Sequence, residues 1–298
     1  VSKEFNPIRA VFHGAEDKAV WTKDVLNLGV SPSKLVVYAR QRFEAAGGRV
    51  MEGCGVQGVE VAPNGAKLSL DGSDVSELSA RLVLDCMGHG SPITRQLRWG
   101  NKPDGMCLVV GSCSRGPWPD NKSADIIATN TPLQPPDAPV TNLQYFWEAF
   151  PAGSGPLDRT TYMFTYLDAE PHRPSLEQLF DDYWQHMPEY QGVQLDDLEV
   201  QRLLFGFFPT FRNSPLQPGW DRILQVGDAS GIQSPLSFGG FGALTRHMSR
   251  LTTAVTEAVG CDALQKADLA LINAYNPGLR CAATSTSQSW CIINSTSQ

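Results

Sequence analysis

The 298-residue chain has little that would tie it to a metal, a membrane span or a nucleic acid. Its seven cysteines, at positions 54, 86, 107, 113, 261, 281 and 291, form no C-x-x-C pair, and their odd, scattered distribution favours reduced thiols that pack as small apolar groups. The five histidines (13, 89, 172, 186 and 247) also lack ligand spacing, so no metal site is expected. Gly, Pro or charge interrupts every apolar run before it reaches transmembrane length. Basic residues are in the minority: 24 Lys and Arg against 31 Asp and Glu give a net charge of −7. With no basic, aromatic-interleaved stripe, nucleic acid is not expected as a partner. No Ser/His/Asp or Cys/His arrangement is readable, and the catalytic residues stay unassigned. The chain opens at Val1 without a start methionine or targeting segment and closes on the polar stretch Ser295–Gln298. Both ends read as cut, so an incomplete or processed chain is expected.

What is present is an apolar content of 42% with 18% charged residues, enough for one large core or two. The most informative segment is Gly227-Asp228-Ala229-Ser230-Gly231. It follows the strand-like run Ile223–Val226. It precedes Ser234–Gly242, a glycine-rich lead into a helix from about Ala243 to Val259. A strand ending in Gly-Asp before glycines at a helix N-terminus suits a polyol-phosphate ligand. The carboxylate accepts from hydroxyls, and the unsatisfied helix N–H groups face negative charge.

Elsewhere, apolar spacing predicts a helix over Pro32–Ala46, capped by Ser31 or Ser33 and stopped by Gly47-Gly48. Val50-Met51 reads as strand-like, and a hairpin joins Val56–Val61 to Ala66–Leu70 through Asn64-Gly65. Arg81–Leu84 is a further strand. Strand-like runs at Met106–Val110, Leu143–Phe150 and Thr160–Tyr166 follow, without alternating helices. One helix interrupts them: Ser175 and Gln178 form a capping box, and Leu176, Leu179, Phe180, Tyr183 and Met187 keep helical spacing as far as Pro188. The aromatics Tyr145, Phe146, Trp147, Phe150, Tyr162, Phe164 and Tyr166 alternate on these strands as core, with one face suited to an apolar tunnel. Glu148 and Asp158 flank the loop Pro151–Pro156, either lining a substrate mouth or salt-bridging to Arg159.

Gly53-Cys54-Gly55-Val56-Gln57-Gly58 fits the G-x-G-x-x-G dinucleotide pattern, but it runs into Val59-Glu60-Val61, which alternates like a strand. The pattern grips phosphate only where its third glycine opens a helix. A glycine-rich bend between strands is expected instead.

Three segments together resemble the flavoprotein superfamily of aromatic hydroxylases, geranylgeranyl reductases and lycopene cyclases. They are Ser31-Pro32 through Val56; Leu84-Asp85-Cys86-Met87-Gly88-His89-Gly90-Ser91 with Arg95 and Arg98; and the Gly-Asp motif. Gly231 is more like the reductase and cyclase branch. The run Glu148–Tyr162, with Ile232–Pro235 and Thr245–His247, is similar to a plant and algal group of FAD/NAD(P)-binding oxidoreductases, many of them plastid-targeted.

The resemblance implies an α/β fold, an incomplete Rossmann-like FAD-binding domain with an inserted, mostly antiparallel β-sheet substrate domain. Residues 1–100 and 216–275 would form the FAD-binding domain without its first βαβ unit, 101–215 the substrate domain and 276–298 a polar C-terminal tail. Asp228 would bind the ribityl hydroxyls of FAD, with Gly227 and Ala229 allowing close approach. The N–H groups near Gly239, Gly240 and Gly242 would face the pyrophosphate or the flavin, and Val56 would contact adenine through its backbone. His247 lies in the following helix, as a packed residue or facing the flavin.

The implied activity is FAD-dependent oxidoreduction of an apolar, isoprenoid-like substrate by hydride transfer, with NADPH as electron donor. The implied location is a plastid, or otherwise the cytoplasm, with peripheral membrane contact left open. Two alternatives stand: a lycopene-cyclase-like flavoenzyme without net redox chemistry, and a non-enzymatic flavoprotein remnant acting as a binding module. The chain departs from the family pattern in lacking the N-terminal phosphate-binding unit and in carrying Met87 where the family has Asp.

Overall fold

The computed structural model describes residues 2–4, 10–13, 19–22, 28–128, 143–168, 173–210, 217–231 and 240–273. In chain order the strands and helices are β1 (Ser2–Glu4), β2 (Ala10–His13), β3 (Ala19–Thr22), β4 (Leu28–Val30), α1 (Pro32–Ala45), β5 (Gly55–Ala62), β6 (Gly65–Asp71), β7 (Glu77–Ala80), β8 (Val83–Asp85), α2 (Pro92–Leu97), β9 (Gly105–Arg115), β10 (Ala124–Ala128), β11 (Phe146–Pro151), β12 (Asp158–Leu167), α3 (Leu176–Gln191), β13 (Glu199–Thr210), β14 (Ile223–Gln225), α4 (Gly240–Cys261) and α5 (Lys266–Asn273). The tail expected at 276–298 lies outside the described residues. Contacts divide the chain into two units, Val1–Val50 with Gly105–Phe208, and Met51–Asp104 with Pro209–Gln298. Where the sequence reading keeps residues 1–100 together, the contacts part them after Val50.

The first unit is built on a seven-stranded sheet of order β13-β9-β12-β11-β10-β2-β3. It is antiparallel where pairing is defined, except that β2 runs parallel to β10. Period-two alternation sorts its side chains to two faces. Val110, Met163 and Trp147 are register partners on one face, and α3 fills that face with Leu179, Tyr183 and Met187. Trp147 stacks on Tyr183 with ring centroids 5.3 Å apart, a geometry that adds about 1 kcal/mol to simple burial.

The capping box of α3 forms as read, with Ser175 and Gln178 exchanging hydrogen bonds. The helix does not stop at Pro188, however. It runs to Gln191 and ends where Gly192 takes a left-handed conformation. Gly192 N–H caps the Pro188 carbonyl at 2.9 Å, so the proline is absorbed in the last turn.

Arg159, 1% exposed, staples this unit. It donates to Gln191 Oε1 (3.1 Å), the Asp120 and Ser123 carbonyls (3.1 and 3.0 Å) and Asp125 Oδ2 (2.5 Å). The expected bridges from Glu148 or Asp158 to Arg159 are therefore replaced. Asp158 pairs with Arg115 (2.8 Å), and Glu148 accepts from the Tyr162 hydroxyl (2.6 Å). The cause is strand alternation, which turns Arg159 to the face opposite Glu148 and Asp158, where Asp125 of β10 meets it across β11.

In the second unit β5, β6 and β7 form an antiparallel meander, and β8 pairs with β14 in parallel. The G-x-G-x-x-G run opens no helix. Gly55 starts β5, and the register slips between Val56 and Gly58, a bulge that leaves Gln57 as the extra residue. Val50-Met51 is not a strand. Leu224, Leu251, Leu264, Leu269 and Ile272 gather β14, α4 and α5 into a second core.

Arg222 locks the entry to β14. It adopts φ +60° and donates to the Pro63 and Arg81 carbonyls (3.1 Å each) and to both carboxylate oxygens of Asp262 (3.0 Å each).

Candidate functional site

Two parallel strands end side by side in the second unit, and each passes into a glycine turn. In sheets of this kind the loops beyond the carboxyl ends hold the ligand. After β8, Asp85 is 1% exposed and organises its own loop. Its Oδ2 accepts from Ser91 Oγ at 2.6 Å, and its Oδ1 accepts from the Met87 N–H at 3.1 Å. Ser91 caps α2 by accepting from the Thr94 N–H at 3.1 Å. Thr94 Oγ1 in turn donates to the Ala229 carbonyl at 3.0 Å. Through this chain of buried bonds the first loop fixes the second, with little freedom left in either.

The second loop is a single 3-10 turn, Gly227–Ser230, bounded by left-handed glycines at 227 (φ +66°) and 231 (φ +69°). Ser230 Oγ ties it to the Gly227 carbonyl at 2.7 Å. Ala229 is fully buried and Asp228 is exposed. A Cβ placed on Gly88 would lie 4.0 Å from the Asp228 Cβ, so the two turns meet at these residues. Leu244 of α4 would sit 3.8 Å from a Cβ on Gly227, which brings the first turns of α4, with Gly240 and Gly242, beside the same loop. Gly239 lies outside the described residues.

His89 was not singled out from sequence, yet it belongs here. Half-buried between Asp228 and Arg98, its imidazole is pushed to lower pKa by burial; Asp228 opposes the shift and Arg98 adds to it. The Asp85, Ser91 and Thr94 network was also not read as a site. Its signal in the sequence is the Leu84–Ser91 segment that carries part of the family resemblance, with Thr94 three residues beyond Ser91.

Val56 lies 41% exposed on β5 and lines a cleft of about 290 Å3 with Met87, Pro92, Ile93 and Gln96. That cleft does not include Asp228, so the structure joins Val56 to Met87 and to α2, not to the Gly-Asp turn.

No protein-family model matches this sequence, and no curated protein does. Solved structures do match. The halogenase PltM, seen in complex with FAD, superposes with a TM-score of 0.66 at 14% identity over 91% of this chain and 56% of its own. A geranylgeranyl bacteriochlorophyll reductase-like protein from Thermoplasma acidophilum gives 0.63 at 13% identity, covering 90% of this chain and 66% of its own. CmlS, a flavin-dependent halogenase, gives 0.61 at 17% identity over 92% and 49%. The chain has the fold of FAD-binding halogenases and reductases.

At these identities the likeness is one of fold alone. The chain spans a little over half the length of the halogenase it matches. The expected α/β class with an inserted antiparallel sheet is what the structure contains.

Among the described residues no helix is long and apolar enough to cross a membrane. Among the same residues no three His, Cys, Asp or Glu side chains gather as a metal would require.

Proposed function

We propose that this chain is the flavin-holding and substrate-facing part of an FAD-dependent oxidoreductase acting on an apolar small molecule. One observation carries the reading: an exposed Asp228 carboxylate at the carboxyl end of a parallel strand pair, on a turn that the buried Thr94–Ala229 hydrogen bond ties to the neighbouring loop.

The donor set suits FAD. Among the described residues Asp228 accepts no side-chain hydrogen bond, which leaves both oxygens for ribityl hydroxyls. Gly88 and Gly227 keep Cβ atoms out of the approach. The N–H groups at the start of α4, near Gly240 and Gly242, provide positive potential for phosphate or for the flavin. In this assignment Gly239 joins them, Ala229 packs the turn from below and Val56 lies towards adenine. When bound, FAD would supply hydride chemistry. The residues named here bind it, orient it and keep the loops dry.

The isoprenoid-like substrate, NADPH as donor, the plant and algal group and its plastid location belong to this reading through the sequence resemblance alone. The halogenases among the structural neighbours offer a second flavin-dependent reaction class on the same fold.

The test is the absorption spectrum of the purified chain after gel filtration and addition of FAD. A flavin spectrum retained by the wild type and lost in Asp228→Ala supports the proposal. Protein that stays colourless after reconstitution overturns it. Bleaching by NADPH without oxygen then separates a pyridine-nucleotide oxidoreductase from a non-redox flavoenzyme.

A further inference from the structure

β13 is an edge strand with little of what normally keeps sheet edges apart. It ends the order β13-β9-β12-β11-β10-β2-β3, so among the described residues only one side of its backbone has a strand to pair with. It is 12 residues long, and from Val200 to Phe208 its only charged residue is Arg202, with no lysine and no proline. The far edge of the same sheet is built differently. β3 is four residues long, and Lys18 and Lys23 flank it in the sequence.

Period-two alternation puts Leu203, Phe205 and Phe207 on one face of β13. They are 52%, 70% and 65% exposed, so about 350 Å2 of mostly apolar side chain stands in water as a single row. A contiguous patch above roughly 300 Å2 marks an interaction surface, where scattered exposed residues would not. An open backbone edge takes another strand, and the apolar row beside it takes apolar side chains.

We propose that the chain forms a two-fold homodimer through β13, the two copies pairing antiparallel about Phe205 so that their large sheets join into one. The pattern itself selects a second copy as the occupant. In a two-fold antiparallel pair, residues equally far on either side of the axis oppose each other on the same face. With the axis at Phe205, Phe205 meets its own copy and Leu203 meets the partner's Phe207, so the apolar row maps onto itself. An axis at Leu204 sets Phe207 against Gln201, one at Leu203 sets it against Glu199, and one at Gly206 sets Leu203 against Pro209. Aromatic and aliphatic cross-strand pairs are the stabilising ones.

The same register separates like charges. Arg202 stands about 20 Å and Glu199 about 40 Å from its own copy, beyond the reach of screened repulsion. The two rows together remove about 700 Å2 from water, and the closing backbone edges bring the interface near the lower bound of about 1,000 Å2 for specific association. The dimer is therefore reversible and of micromolar strength. It does not require flavin, and either proposal can fail without the other.

Sedimentation velocity of the full chain in reducing buffer, from about 1 to 200 μM, tests it. The wild type is expected to pass from monomer to dimer across this range. Phe205→Lys sets two ammonium groups against each other on the axis and should stay monomeric throughout. Its circular dichroism and melting temperature should match the wild type, because the replaced ring is exposed. Val36→Lys charges a similarly exposed apolar position on α1 and should dimerise as the wild type does. Cross-linking reads the register. With copper–phenanthroline as oxidant, Phe205→Cys should give a dimer bridged through position 205, found by mass spectrometry of the linked peptide. Phe207→Cys should not bridge to itself, since its copy lies too far along the strand.

A chain that stays monomeric at every concentration overturns the proposal, as does a dimer that survives Phe205→Lys. Self-bridging at position 207 in place of 205 overturns the pairing about Phe205. Should Phe205→Lys misfold, Phe207→Lys applies the same charge within the row, and the Phe205→Cys cross-link needs no charged variant. Slow amide exchange along β13 in the monomer would show that another segment covers the edge, which also overturns it.

Discussion

Thr94 Oγ1 donates to the carbonyl oxygen of Ala229 at 3.0 Å, joining residues 135 positions apart in sequence. This bond seats the Gly-Asp turn on the loop that Asp85 and Ser91 organise.

Thr94→Val keeps the branched shape and deletes the donor, leaving a buried carbonyl unsatisfied. The expected loss is about 1–3 kcal/mol of stability in urea unfolding, with Thr94→Ser close to wild type. Reconstitution with FAD should weaken in the valine variant even at temperatures where it is fully folded. Equal flavin uptake by the folded valine and serine variants would disconnect this bond from the proposed site.

Asp228 is exposed, so its removal should leave the fold alone. Asp228→Ala and Asp228→Asn are expected to unfold within about 0.5 kcal/mol of wild type. Both should lose flavin, the alanine variant more completely. A large change in melting temperature would instead make Asp228 a structural residue.

Glu148 gives a pH signature of stability. Its folded pKa, about 7, stands above the ordinary 4.5 because burial disfavours the charged form, and the Tyr162 bond offsets this only in part. A raised folded pKa contributes stability that is complete below about 4.5 and is lost as pH rises through about 7. Glu148→Gln should therefore gain on the wild type by a few kcal/mol between these limits, as read by denaturant midpoints at stepped pH. A flat difference across that window would mean the carboxyl is solvated.

Arg159 is a buried cation of the first unit. Arg159→Met strips the Asp125 carboxylate and two carbonyls of their partner and should cost about 3–5 kcal/mol. Arg159→Lys should recover little, since an ammonium cannot span Gln191, Asp125 and the backbone at once. Calorimetry of the two variants checks both statements.

The sequence carried its local signals well. The capping box at Ser175 and Gln178, the helix after Gly240 and the rejection of Gly53–Gly58 as a phosphate loop all follow from chemistry within a few residues. What stayed hidden depends on distant partners. The pairings of β2 with β10 and of β8 with β14 are set by topology, and no periodicity announces them. The fate of Arg159 shows the limit clearly: its sequence neighbours suggested Glu148 or Asp158, and strand alternation handed it to Asp125. The α1 helix is the opposite case. Its spacing is legible, but Val36, Val37 and Phe43 stay exposed, because apolar periodicity states which face wants cover and not what provides it.

The interleaving of the two units bears on how the chain is made. Each unit takes residues from both sides of a stretch belonging to the other, so neither can be finished while the ribosome is still on the first half. β8 leaves the exit tunnel long before its parallel partner β14 exists. During that interval Leu84 and the edge of β8 have no native mate, a setting in which non-local pairing is slow and wrong pairing competes. A nascent chain stalled before residue 220 should engage chaperones more heavily than one stalled after α5. The Gly-Asp loop, chemically the centre of the second unit, is thus among the last of its parts to become possible.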